Sequence, residues 1–286
     1  VKKILLQLDP DLQASVFDSV VAVDAEVDHL FRHQAVTPDQ VMSLVHGCIF
    51  TRGHADLNHT AIFIGGSDVT AGESLLKRVK KSFFGPMRVS VMMDANGCNT
   101  TAAAAVIAAG RHCELKQATV AVLAGTGPVG QRVARLCLRS GASVKLCSRS
   151  LEKSTAVCES LQENPAGQLS AAQTASAKET AAVLKDVDVV FACGAAGVEL
   201  LPDETRKQLA AKVLVDLNAV PPLGIGGVEV MDKATQRDSQ ICYGAIGVGG
   251  TKMKIHKAVL GKLFDKNDQV FDAEEIMDVG LSLEQG

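Results

Sequence analysis

The sequence predicts an α/β protein of two domains, each an open, mostly parallel sheet with helices on its faces. Three observations lead there. Short apolar runs alternate with amphipathic ones along nearly the whole chain, the rhythm of a strand followed by a covering helix. An alanine-rich run, NTTAAAAVIAAG, separates two such series. A glycine turn, GTGPVG, stands between an apolar strand and an amphipathic helix at the head of the second.

In the first series KKILLQLD reads as a strand, followed by a helix from about Ser15 and a second helix opened by Thr37 and Pro38. The threonine hydroxyl can accept an orphan N–H, and proline fits the first turn. GCIFTR and TAIFIGG then read as strands, AGESLLKRVKKSFF as a helix and RVSVMMD as a strand. The alanine run is one helix, since alanine has the highest helix propensity, and the domain boundary is placed inside it. The second series continues through TVAVLAG, SVKLCS, a weak strand near QLSAAQ, DVVFACG and KVLVDLN, with final helices from about Lys252. The expected domains are 1–103, with 258–286 packing back on them, and 104–257.

The bulk properties suit small-molecule chemistry. The 286 residues are 47% hydrophobic, enough for sizeable cores. A net charge of −3 without a long basic run argues against nucleic acid or an anionic membrane as partner. Eight scattered cysteines form no CxxC pair, so they are read as core thiols rather than a zinc site or a disulfide framework. No signal-peptide pattern precedes the first strand and no apolar run reaches roughly 18 residues, so the expectation is a soluble, cytoplasmic protein.

In GTGPVG, Gly125, Gly127 and Gly130 fit GxGxxG. The first glycine permits the tight turn, the second lets a pyrophosphate approach the backbone, and the third allows close helix packing. Thr126, Pro128 and Val129 complete the loop, and the helix behind it presents free N–H groups to phosphate. The second domain is therefore expected to be Rossmann-like. An NAD-preferring site carries Asp or Glu at the end of its second strand, where it would repel a 2′-phosphate. Here that place holds Ser148 and Arg149, with Lys153 nearby. A guanidinium fork and a hydroxyl are donors for phosphate, and NADP is the expected cofactor. Three later stretches lie at the same carboxyl edge of the inferred sheet: ACGAAG with Gly194 and Ala195, DLNAVPPLGIGG with Asn218, and YGAIGVGGTKMK leading to Lys252.

The chain resembles the bacterial NADP-dependent methylene-tetrahydromethanopterin dehydrogenases and, more distantly, the methylene-tetrahydrofolate dehydrogenases. SVFDSVV, TAIFIGG, FFGPMRVS, DANGCNTTAAA, LAGTGPVG, NAVPPLGIGG, GAIGVGGTKMKIHKA and FDAEEI carry the likeness. The resemblance implies oxidation of a methylene-tetrahydropterin to its methenyl form, with methylene-tetrahydrofolate as a second candidate substrate. It places the pterin between the two domains and implies a homo-oligomer, a trimer or hexamer. Lys252 is implied as the active-site lysine and Phe17 as a ring against the pterin, although core packing alone could explain Phe17. Asp94, Asn96, Asn99, Thr100 and Thr101 form the polar segment implied to face the pterin. RGHADLNHT, from Arg52 to Thr60, departs from the dehydrogenase pattern.

A carbon between two nitrogens releases hydride readily because the resulting cation is delocalised over both, so positioning should outweigh acid–base catalysis. A lysine there either grips a pterin oxygen or is neutralised by desolvation. His29 and His33 have the spacing of metal ligands on a helix, but HLFRH lacks the glutamate of HExxH and a third ligand. They are read as surface or packing residues, and no metal is expected. The EE of FDAEEI reads as a favourable pair at a helix N-terminus. Two functions compete with the dehydrogenase: a bifunctional methylene-tetrahydrofolate dehydrogenase that also hydrolyses the methenyl product, and an NADP-binding sensor without turnover.

Overall fold

A computed structural model describes residues 1–161 and 167–285. The chain divides into two compact units, Val1–Thr100 with Met253–Gly286, and Thr101–Lys252.

The first unit is built on β1 (Ile4–Leu8), α1 (Val16–Asp24), β2 (His29–His33), α2 (Pro38–Ile49), β3 (Thr60–Ile64), α3 (Val69–Ser82) and β4 (Ser90–Met93). Ser15 caps α1 by accepting from the Asp18 N–H, and Thr37 with Gln40 forms a capping box at α2. In β3 every residue is buried, as expected of a central parallel strand covered on both faces. The helix α4 (Cys98–Gly110) runs from this unit into the second. Its Ala102 to Ala105, Ala108 and Ala109 are wholly buried, so the small side chains serve close packing around the helix as well as propensity.

The second unit contains β5 (Thr119–Leu123), α5 (Pro128–Arg139), β6 (Ser143–Ser148), α6 (Leu151–Leu161), β7 (Gln168–Gln173), α7 (Ala177–Leu184), β8 (Val189–Ala192), α8 (Asp203–Arg206), β9 (Val213–Asp216), β10 (Lys233–Arg237) and β11 (Gln240–Tyr243). Helix α9 (Ala245–Lys262) returns the chain to the first unit, which closes with β12 (Val270–Phe271) and α10 (Ala273–Glu284).

The first sheet has the order β12-β4-β3-β1-β2, all parallel. The second has the order β10-β11-β9-β8-β5-β6-β7, parallel except for β10. Read from β7, its parallel strands run 3-2-1-4-5-6, the doubly wound Rossmann order. Strand order reverses between β1 and β3 in one sheet and between β5 and β8 in the other. Ligands of open α/β sheets bind at the carboxyl ends of such neighbours.

Two local expectations are corrected, and strands β2 and β10 were not anticipated. GCIFTR is not a strand: Gly47, Cys48 and Ile49 finish α2, where Val41, Val45, Cys48 and Ile49 bury one helical face. The three-residue apolar run was too short to outweigh that period. HLFRH, to which the sequence assigned no element, is the edge strand β2, with His29 and His33 at its two ends. Helix α9 begins at Ala245, well before Lys252. Glycine is required at Gly247 inside it because a Cβ there would strike the Asp232 carbonyl, as one on the preceding Gly244 would strike the backbone of Glu229 and Val230. The polar strand β10 has no apolar alternation to announce it and rests on its antiparallel pairing with β11. Among the described residues no helix is long and apolar enough to cross a membrane, and no cluster of His, Cys, Asp or Glu is arranged for a metal ion. All eight cysteines are free; six are buried, and Cys113 and Cys193 are half-buried.

Candidate functional site

The glycine turn follows β5 at the reversal point of the second sheet. The Gly125 N–H donates to the Cys147 carbonyl at 2.8 Å, pinning the turn to the end of β6. A Cβ on Gly125 would lie 2.8 Å from the Val122 oxygen, and one on Gly130 2.7 Å from the Cα of Gly125. Both glycines are therefore required by close packing. Gly127 is different: an added Cβ would find nothing nearer than 3.8 Å, so packing leaves open the space over the residue that caps α5. Ala124 adopts φ 52° to enter the turn, a left-handed conformation that costs an L-residue about 1 kcal/mol.

The first intrahelical bond of α5 runs from the Gln131 N–H to the Gly127 carbonyl. Pro128 has no N–H, so the Val129 and Gly130 N–H groups face the turn with the positive end of the helix dipole. The Gln131 side chain donates to the Thr126 carbonyl at 2.7 Å and stiffens the loop. An open second glycine beneath a helix N-terminus fits a pyrophosphate.

At the end of β6, Ser148 is buried and its hydroxyl accepts from the Ser150 N–H at 3.3 Å. Ser150 in turn accepts from the Lys153 N–H at the start of α6. Arg149 and Lys153 are exposed and form no ion pair among the described residues. No acidic residue occupies the strand end, so the charge there is positive.

The other predicted cofactor residues divide by role. The Cys193 N–H bonds the Leu123 carbonyl, bringing the end of β8 beside the glycine turn. Gly194 is held close by Leu200, while Ala195 is exposed. Asn218 is buried and shapes its own loop: its Oδ1 accepts from the Val220 N–H at 3.0 Å and its Nδ2 donates to the Pro222 carbonyl at 3.1 Å. Asp216 anchors the same loop by accepting from the Asn218 and Ile225 N–H groups. Burial raises its carboxyl above the ordinary value, against the pull of those bonds and one from Gly224. Lys252 is half-buried within α9, and nearby Gly249 and Gly250 have open space where a side chain would stand.

In the first unit the chemistry gathers at the carboxyl ends of β1, β3 and β4. Asp94 is fully withdrawn from solvent. Its Oδ1 accepts from the Asn99 and Thr100 N–H groups at 2.9 and 3.0 Å, and its Oδ2 from the Thr100 hydroxyl at 2.6 Å. It thus stabilises the start of α4 as an N-terminal carboxylate does. Asn99 is equally buried, and its Nδ2 bridges the Met93 carbonyl at 2.6 Å and Asp272 at 2.8 Å. Of the predicted polar segment, Asp94, Asn99 and Thr100 are buried and hydrogen-bonded within the first unit. Asn96, with φ 52°, is exposed and Thr101 half-buried.

Residues that sequence reasoning passed over complete this edge. His256 on α9 is 1% exposed, with Nδ1 3.9 Å from Asp94 Oδ2. Its ring stacks on Phe63 at 5.6 Å and lies 6.4 Å from Phe17. Asp9, just beyond β1, accepts from the N–H groups of Asp11 and Ser15. Asp18 stands in the first turn of α1 beside Phe17, which is 52% exposed. The available signals were an acid at the end of an apolar strand, in QLDP, and a histidine one helical turn after Lys252, in KMKIH.

Comparison with known proteins adds the ancestry of this arrangement. Residues 16–96, which span Phe17, Asp18 and Asp94, match the family profile described as methylene-tetrahydromethanopterin dehydrogenase, N-terminal. A protein of Methylorubrum extorquens named bifunctional protein MdtA is 46% identical over 280 residues, 96% of each chain. The chain belongs to the methylene-tetrahydromethanopterin dehydrogenase family. A second relative from that organism, named NAD(P)-dependent methylenetetrahydromethanopterin dehydrogenase, is 29% identical over 93% of each chain. Residues 119–220 match the profile described as NADP oxidoreductase coenzyme F420-dependent. Among solved structures, shikimate 5-dehydrogenase from Listeria monocytogenes has a TM-score of 0.55 at 9% identity, covering 97% of this chain and 96% of its own. That likeness is one of fold.

Proposed function

We infer that this family member oxidises methylene-tetrahydromethanopterin to the methenyl form with NADP as hydride acceptor. One observation carries the reading: a dehydrogenase-family N-terminal sequence and a glycine turn suited to a dinucleotide stand in one chain, related along almost its whole length to a protein of 46% identity. The name of the more distant relative supplies the substrate and the NAD(P) class.

The bound nicotinamide would supply the empty orbital that accepts hydride, and the protein's part is to bind and orient. Gly125, Thr126, Gly127, Pro128, Val129 and Gly130 bring backbone N–H groups to the pyrophosphate. Arg149, Ser148 and Lys153 select the 2′-phosphate by charge-assisted hydrogen bonds. Gly194 and Ala195 give the dinucleotide close access to the end of β8, and Asn218 shapes the adjoining wall. Phe17, Asn96 and Thr101 contact the pterin, while Asp94, Asn99 and Thr100 hold the segment that presents them. Lys252 orients the pterin for transfer. The reading includes a cytoplasmic homo-oligomer.

The test is spectrophotometric NADP reduction by the purified protein, with methylene-tetrahydromethanopterin and methylene-tetrahydrofolate in parallel. The folate substrate belongs in that assay because the relative at 46% identity is named a bifunctional protein. Turnover with the methanopterin substrate supports the reading. Tight NADP binding without turnover of either substrate would replace it with that of a sensor.

A further inference from the structure

Three carboxylates meet at the reversal point of the first sheet, and their surroundings differ. Asp9 accepts from the N–H groups of Asp11 and Ser15 at 2.9 and 3.0 Å and lies 3.5 Å from the Gln7 amide. Asp94 accepts from two N–H groups and the Thr100 hydroxyl. Both are committed to the fold. Asp18 has the Ser15 hydroxyl as its side-chain hydrogen-bond partner and His256 as its favourable charge neighbour. Burial, with Asp94 and Asp9 nearby, raises its carboxyl above the ordinary range despite both.

The position of Asp18 is as informative as its partners. It follows Phe17, whose ring is half exposed. Its Oδ2 would stand 3.0 Å from a Cβ at Gly65, the first residue after β3. That glycine lets the carboxylate lie directly at the strand end, where open sheets receive ligands. An apolar ring face beside a carboxylate with lone pairs to fill is complementary to a flat heterocycle carrying two adjacent N–H donors. A pterin has such an edge, made by its N3–H and 2-amino group.

We propose that Asp18 is the specificity-determining residue for the pterin ring, accepting from N3–H and the 2-amino group while Phe17 packs on the ring face. This rests on the proposed function and names the contact by which that substrate class is read. His256 is a positioning residue behind it, wedged between Phe63, Phe17 and Asp94. A carboxylate built to accept two donors rejects an analogue that presents an oxygen lone pair instead. Lumazine is that analogue, with a 2-oxo group in place of the amino group.

The experiment compares binding of 6-methylpterin and 6-methyllumazine to wild-type protein and to Asp18→Asn by fluorescence titration, beside steady-state turnover. The wild type is expected to bind the pterin at least tenfold more tightly than the lumazine. Asp18→Asn should bring the two within about threefold, raise KM for the methylene-tetrahydropterin about tenfold or more, and leave NADP affinity unchanged. A merely structural aspartate would weaken both ligands together and leave the ratio intact, which would overturn the proposal. A wild-type ratio near one would overturn it even if the variant does not fold. Wild-type turnover with an unaltered ratio in Asp18→Asn removes Asp18 alone; absence of both turnover and pterin binding in the wild type removes the proposed function as well.

Discussion

His256 Nδ1 lies 3.9 Å from Asp94 Oδ2, with the two side chains 1% and 0% exposed. The carboxylate is held by the first N–H groups of α4 and by Thr100, and the imidazole fills the space between two phenylalanine rings. Asp94 is thus a cap at the base of the site. Asp94→Ala should lower stability by about 2 to 4 kcal/mol, combining a lost cap with unsatisfied buried donors. Denaturant unfolding measures it. A fully stable variant with impaired pterin kinetics would return Asp94 to direct substrate contact.

Phe17 gives the opposite expectation. Half of its surface is exposed, so Phe17→Ala should change the melting temperature little while raising the pterin KM or lowering kcat. A loss of more than about 3 kcal/mol of stability with unchanged kinetics would make it a core residue.

Arg149 stands at the end of β6 with no acid beside it. Arg149→Asp should weaken NADP binding by about tenfold to a hundredfold, the loss of one charge-assisted contact, and reverse the preference toward NAD. Calorimetric titration with both cofactors decides it. Tighter NAD than NADP binding by the wild type would refute the role of the strand end.

Lys252 is half-buried in α9, and Gly249 and Gly250 before it leave open space. Lys252→Ala should lower kcat by more than about tenfold, or roughly 1.4 kcal/mol of barrier, with NADP affinity nearly unchanged. Normal kcat with poor NADP binding would move the lysine to the cofactor.

Asp232 is buried in the turn before β10. Burial pushes its carboxyl up, but hydrogen bonds from Arg237 at 2.6 and 2.7 Å outweigh it and hold the group below its ordinary value. A carboxyl depressed in the folded state contributes stability that is present above its unfolded value, roughly pH 4, and lost as pH falls through the folded value. Arg237→Met should therefore cost about 2 to 3 kcal/mol near neutral pH. The gap in melting temperature from wild type should narrow on acidification below about pH 4. A gap that is constant with pH would exclude the ion pair as its source.

Much of this molecule was legible one element at a time. TAIFIGG and TVAVLAG read as buried parallel strands, and GTGPVG between TVAVLAG and an amphipathic helix identified the doubly wound half. GCIFTR misled because its few apolar residues belong to the buried face of α2. KATQR in β10 is held by the Arg237–Asp232 pair and by β11, neither of which is a local pattern. The site followed the same division. The glycine turn is contiguous in sequence and was visible. Asp9, Asp18, Asp94 and His256 come together only through strand order and the return of α9, so adjacency in the sequence did not reveal them. Asn99 and Thr100 lie in a segment conspicuous in the sequence, but their hydrogen bonds to the Met93 carbonyl and to Asp94 were not legible there.

Transfer of the methylene hydrogen itself tests the central claim most directly. Methylene-tetrahydromethanopterin prepared with two deuteriums on the bridging carbon should yield reduced NADP carrying one deuterium, with the methenyl product keeping the other, as mass spectrometry of both products would read. Reduced NADP without deuterium, or methenyl product formed without NADP reduction, would contradict direct hydride transfer between this pterin and this cofactor.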